Sequence, residues 1–170
     1  MSHLARCLSV LVGLVFAVSA GAKAVDYYGF IERAAYYRSF DYATLHFGAW
    51  TTILIEAGLA ALFLSGAWLR RLAIPAAGLL ILVLSGLIVH AWVTFGIDDC
   101  ACLGSLAETP PQLALVKNGV ILAILAWLGL SRVRLPRPST RRSGLAALLL
   151  VAGLGSTTIG ILSQTHDWPF

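Results

Sequence analysis

The residues with the clearest capacity for chemistry lie in one short run, Asp98-Asp99-Cys100-Ala101-Cys102-Leu103-Gly104. A bridge between two cysteines one residue apart closes a very small ring, which departs from relaxed disulfide geometry. Strain of that kind raises the reduction potential and makes the bond exchangeable with other thiols. Two further readings stand beside the redox pair: a soft-metal site completed by His90, His46 or His166, and an inert loop-closing disulfide. The exchangeable pair is preferred and no metal is assigned. Asp98 and Asp99 oppose thiolate formation, so a reactive thiol here needs a nearby cation. Lys23 and Lys117 are the candidates.

Two more titratable residues stand inside apolar runs. Glu56 falls midway along one, where a charged side chain costs roughly 2.5 to 3.5 kcal/mol on insertion scales, so it must face other protein and be paired or protonated. His90, in the next run, is its natural partner. At 1.5 Å rise per residue the two differ in depth by about 9 Å. A chain through water or the Thr51 and Thr52 hydroxyls is therefore the expected link. Such an arrangement would serve as a proton path or a quinone-side polar pocket beneath the cysteines, or merely as a buried hydrogen bond holding helices in register. Cys7, alone near the start of the chain, is expected to be buried and inert.

What must position these residues follows from composition. Of 170 residues, 59% are apolar or aromatic and 12% charged, against roughly 45 to 50% and about 25% in soluble domains. A globule of this size could not bury that much apolar surface, whereas five spans of roughly 20 residues would use it. Disorder, a disulfide-stapled secreted fold and an ordinary soluble enzyme are excluded. Apolar runs fall at Leu4 to Ala24, Thr44 to Leu69, Leu72 to Ile97, Leu113 to Leu130 and Gly144 to Leu162. They are too long and too uniformly apolar for barrel strands, so an all-α integral membrane protein is expected. Small residues at four-residue spacing, Gly13-Ala17-Gly21, Ala57-Ala61-Ser65 and Ala152-Ser156-Gly160, suit close helix approach.

Charge supplies the orientation. With the amino terminus inside, Arg6, Arg70, Arg71 and the connector arginines Arg132, Arg134, Arg137, Arg141 and Arg142 are cytoplasmic, eight of the twelve basic residues. The positive-inside rule then places the Cys100 and Cys102 loop and the carboxyl terminus on the outer side. The net charge of +4 is thus a topology signal, and nucleic acid is not an expected partner. The aromatic segment Val25 to Ala43 is expected as a short helix at the membrane surface. Arg6, an uncharged stretch and Ala22-Lys23-Ala24 also fit a cleavable signal peptide, which would leave the same orientation.

Several of these features together resemble the methylamine utilisation protein MauE family, within the wider DoxX-like group. They are Gly21-Ala22-Lys23 ending the first span, the aromatic surface segment, Glu56-Ala57-Gly58-Leu59-Ala60 in the second, and the Cys-x-Cys-x-Gly loop after the third. The resemblance implies a DoxX-like four-helix transmembrane bundle over residues 4–130. An Arg-rich cytoplasmic connector, 131–143, and a fifth C-terminal transmembrane helix with a short outer tail, 144–170, lie outside that likeness. It implies a periplasmic thioredoxin-like partner and a role in disulfide formation or maturation of an exported protein, as MauE is associated with the small subunit of methylamine dehydrogenase. By matching position it makes Cys100 and Cys102 the redox pair and Lys23 and Glu56 recurring polar positions. Since the family's lysine belongs to the first helix, it favours retention of that helix. The chain departs from the pattern at Leu103, where phenylalanine is usual, and at Lys117-Asn118, where a basic and an acidic residue are usual.

The resulting expectation is a plasma-membrane component of thiol-disulfide exchange, embedded in lipid and serving a periplasmic substrate protein. A quinone is the candidate cofactor. A self-sufficient quinone-linked oxidase commonly has two cysteine pairs, and Cys7 lies across roughly 30 Å of hydrocarbon from the outer pair, so dependence on a partner is expected. A non-enzymatic scaffold or chaperone with an inert disulfide is the alternative. A small-molecule or metal transporter is weaker, since no inverted repeat or matched pair of broken helices is visible.

Overall fold

The computed structural model describes residues 2–35, 42–66, 68–96 and 109–131. Cys100, Cys102, the Arg-rich connector and the expected fifth span fall outside them. The described elements are all helical: α1 (Ser2–Val25), α2 (Tyr27–Ala35), α3 (Tyr42–Ser65), a one-turn π-helix (Leu69–Ala73), α4 (Ile74–Phe95) and α5 (Pro111–Leu130). Among the described residues four stretches are long and apolar enough to cross a membrane: His3–Val25, Thr44–Ser65, Leu69–Phe95 and Pro111–Leu130. Their bounds agree with the first four apolar runs to within a few residues.

Local chemistry explains where the helices stop. After α3, Gly66 takes a φ of 74° and its N–H donates to the Leu62 carbonyl at 3.0 Å. Gly96 does the same for α4, with a φ of 63° and its N–H on the Trp92 carbonyl. Glycine enters this left-handed region without the steric cost of a Cβ. Pro111 occupies the first turn of α5, where no intrahelical N–H is lost, and Pro75 stands just after the π-helix that leads into α4.

Val12 and Phe16 of α1, Leu59 and Phe63 of α3, Ala77 and Ile81 of α4, and Ile121 and Leu125 of α5 meet in one core. α1 and α3 run antiparallel, pinned near one end by the Ser9 hydroxyl donating to the Phe63 carbonyl at 3.0 Å. α4 and α5 are likewise antiparallel, joined by Asn118 Nδ2 donating to Ser85 Oγ at 2.9 Å. Outward-facing residues such as Leu11, Leu14, Val18, Leu79, Leu82 and Val120 are exposed, as a lipid-solvated surface requires.

Two expectations need correction. Cys7 is exposed, because the inward face of α1 is set by Ala5, Ser9 and Val12. Two residues from Ser9 is about 200° around a helix of 3.6 residues per turn. The small-residue stripe of α1 is also not one continuous contact. At Gly13 a Cβ would meet Leu64 Cγ at 2.9 Å and Phe63 Cβ at 3.1 Å, whereas at Gly21 it would meet nothing within 4 Å.

The aromatic segment does form a short helix, α2, but one folded against the bundle. Tyr27, Phe30 and Ile31 are buried against Leu45, Ala49 and Ile53 of α3. Asp26 makes the break between α1 and α2, its carboxylate accepting the Gly29 N–H at 3.0 Å. A side chain at Gly29 would strike that carboxylate. Loss of a cap of this kind costs about 1 kcal/mol, so Asp26→Ala and Gly29→Ala should each lower thermal stability in detergent by that order.

Candidate functional site: a charged cavity at one end of the bundle

α1 ends, α3 begins, α4 ends and α5 begins at the same end of the bundle, and there the helices enclose a cavity of about 250 Å³. Most of its wall is apolar, including Phe16, Phe30, Leu45, Leu84, Ile88 and Ile121. Its polar wall consists of Ser19, Lys23, Thr44, Thr52, Glu56, Lys117 and Asn118. The chain from Gly96 to Thr109, which contains Cys100 and Cys102, leaves and rejoins the bundle at this end.

The centre of the polar wall is an ion pair. Lys23 Nζ lies 2.6 Å from Glu56 Oε1 and 2.7 Å from Oε2, donating to both oxygens. It donates also to Ser19 Oγ at 2.9 Å and stands 5.6 Å from the Phe30 ring centroid. Lys23 and Glu56 are each 3% exposed, so the pair is removed from solvent and lipid alike. Charge-assisted bonds of this geometry are about twice as strong as neutral ones.

Helix direction explains how the pair forms. From the Ser9–Phe63 contact, Lys23 lies fourteen residues along α1 and Glu56 seven residues back along α3. At 1.5 Å per residue their Cα atoms differ in height by about 10 Å. Each Cα–Cβ bond tilts towards the amino end of its own helix. In antiparallel neighbours Lys23 therefore reaches down and Glu56 reaches up, and two long side chains close the gap.

The partner expected for Glu56, His90, is not there. His90 is exposed, its Nδ1 paired with Thr94 Oγ1 at 3.3 Å and its ring edge-on to Phe95. Of the threonines expected to link them, Thr52 lines the cavity and its Oγ1 donates to the Gly48 carbonyl at 2.8 Å. Lys23 belongs to the Glu56 pair, which redirects its expected role as a cation for the thiols. Tyr27, Tyr28 and His46 form a separate aromatic group between α2 and α3, with Tyr27 Oη 3.2 Å from His46 Nδ1. Among the described residues no three His, Cys, Asp or Glu side chains converge as a metal site would require.

Sequence reasoning missed Ser19 and the cavity-lining role of Lys117-Asn118. Ser19 precedes Lys23 by four residues, the spacing that places two side chains on one helix face. That signal was available. Asn118 was not identifiable as the Ser85 partner, because that contact depends on how α4 and α5 are set against each other.

No solved structure matches the chain. Protein TlpB of Flavobacterium psychrophilum is 29% identical over 136 residues, covering 75% of this chain and 36% of that protein. The chain thus corresponds to little more than a third of this relative's length. The family model described as methylamine utilisation protein MauE matches residues 1–131, an interval that takes in all four described spans, the Lys23–Glu56 pair and the Cys100-Ala101-Cys102 run. This is a multi-pass membrane protein whose buried lysine–glutamate pair and Cys-x-Cys run both fall within the matched region, and it belongs to the MauE family.

Proposed function

We propose that the protein is the membrane component of a thiol-disulfide exchange system that supports disulfide formation or maturation of an exported protein. Membership of the MauE family, together with a Cys-x-Cys run inside the matched region, carries this reading. The orientation that goes with it places the amino terminus and the arginine connector in the cytoplasm, and the cysteines on the periplasmic side of the inner membrane. Its partners are a thioredoxin-like protein and the maturing substrate.

The exchange itself is a pair of displacements. A thiolate of Cys100 or Cys102 attacks one sulfur of the partner's disulfide, forming a mixed disulfide and releasing the other partner sulfur as thiolate. The second cysteine, deprotonated, then attacks the mixed bond. The chain's dithiol becomes a disulfide as the partner's disulfide becomes a dithiol, and the reverse sequence reduces the chain.

A Cys102→Ser variant cannot complete the second displacement when Cys100 attacks first, so it should accumulate a mixed disulfide. The converse variant Cys100→Ser tests attack by Cys102. After acid quenching and thiol alkylation, one variant should carry a covalent adduct, reversible by reductant, that contains a thioredoxin-like protein. The double variant should lose maturation of the substrate. No adduct from either variant, combined with intact maturation in the double variant, overturns the exchange reading in favour of a scaffold with an inert disulfide.

A further inference from the structure

We infer that the cavity between α1, α3, α4 and α5 binds a lipid-soluble molecule through an acceptor oxygen on its head group, a carbonyl or a carboxylate, with Lys117 as the anchoring donor. The first observation is a charge imbalance. Glu56 is engaged through both oxygens by Lys23, while Lys117, on the same cavity wall, makes no hydrogen bond or ion pair with the described residues. A cation at this depth in an apolar wall needs an acceptor. Two ammonium groups and one carboxylate leave one donor group over, which a bound oxygen would complete.

The second observation is the way in. α3 meets the π-helix that precedes α4 but packs little on α4 itself. Thr44 and Gly48 both line the cavity and are exposed on α3, so the cavity opens sideways at this face. That face lies within the span Thr44–Ser65, and a lateral opening at that level admits a molecule already dissolved in lipid. Size is the third observation. At about 250 Å³ the space falls just below the roughly 300 to 1,000 Å³ of whole small-molecule sites. It suits one ring or a short head group, with the apolar tail leaving past Thr44 and Gly48.

The two sources of such a head group are separable. A quinone presents ring carbonyls, and a free fatty acid presents a carboxylate. Purified full-length protein in nanodiscs of phosphatidylcholine should be titrated with decylubiquinone and, separately, with dodecanoate, following intrinsic fluorescence. One probe or the other should bind saturably. Preference for decylubiquinone assigns a carbonyl ligand and preference for dodecanoate an anionic one, and either supports the site. Lys117→Met should weaken binding at least tenfold and Lys117→Arg should largely restore it. Since the ammonium has no hydrogen-bond or ion-pair partner among the described residues, Lys117→Met should keep or raise the melting temperature.

Gly48→Leu provides a second route. A Cβ there meets nothing within 4 Å, so the side chain should fill the opening without disturbing the helices and block binding. Saturation by neither probe overturns the inference, as does an affinity unchanged in both Lys117→Met and Gly48→Leu. The inference stands apart from the thiol reading. Binding should persist in the Cys100→Ser/Cys102→Ser variant, so failure of one leaves the other intact.

Discussion

Glu56→Ala should destabilise the bundle by about 3 to 5 kcal/mol, the usual consequence of removing one partner of a buried ion pair. The cost arises from what is left behind. Lys23 would be left without its carboxylate at 3% exposure, with Ser19 Oγ and the Phe30 ring in reach. Lys23→Met should cost a similar amount by stranding the carboxylate. The double variant Lys23→Met/Glu56→Met should recover most of the loss, because replacing both members of a buried pair by apolar groups is often neutral or stabilising. Thermal melts of the purified variants in a mild detergent, combined as a double-mutant cycle, give the coupling directly. A double variant no more stable than the worse single variant would show that the pair contributes packing alone.

Gly13→Val should separate α1 from α3 at a destabilisation of about 1 to 3 kcal/mol, the range for an overfilled site. A Cβ at this position would already sit 2.9 Å from Leu64 Cγ, and valine adds two methyl groups. The displaced seam includes the Ser9–Phe63 hydrogen bond and the Phe16–Phe63 stack at 6.2 Å between centroids. Gly21→Val on the same helix is the control. It meets nothing within 4 Å, so its melting temperature should stay close to that of the parent. Equal losses at the two positions would mean that backbone propensity, and not close helix approach, sets the effect.

The four described spans were legible in the sequence because length and hydropathy suffice to find them, and lipid leaves no economical alternative to helices. The inward position of Glu56 was legible for the same reason, since a carboxylate at mid-span cannot face hydrocarbon. Its partner was not derivable from depth alone. Rise per residue compares Cα heights, whereas the Lys23–Glu56 bond depends on two long side chains leaning towards each other across antiparallel helices. His90 looked suitable by type and fell on an exposed face, which a span apolar on every side does not reveal. Cys7 failed for a related reason: a uniformly apolar α1 carries little information about which face turns inward. The bend at Asp26 that folds α2 onto α3 was similarly hidden, because the tyrosines suit a headgroup layer and a protein interface equally well.

The Lys23–Glu56 pair also constrains the order in which the chain can enter a membrane. As α3 leaves the aqueous channel of an insertion machine, it carries a carboxylate whose exposure to lipid costs roughly 2.5 to 3.5 kcal/mol. The lysine that neutralises it was synthesised 33 residues earlier, at the far end of α1. If α1 had already drifted away, each helix would bear its own charge penalty. Retaining α1 until α3 arrives lets the two leave as a hairpin, with α2 as the connecting segment already seated on its partner. One ion pair thereby turns two separately disfavoured insertions into a single step.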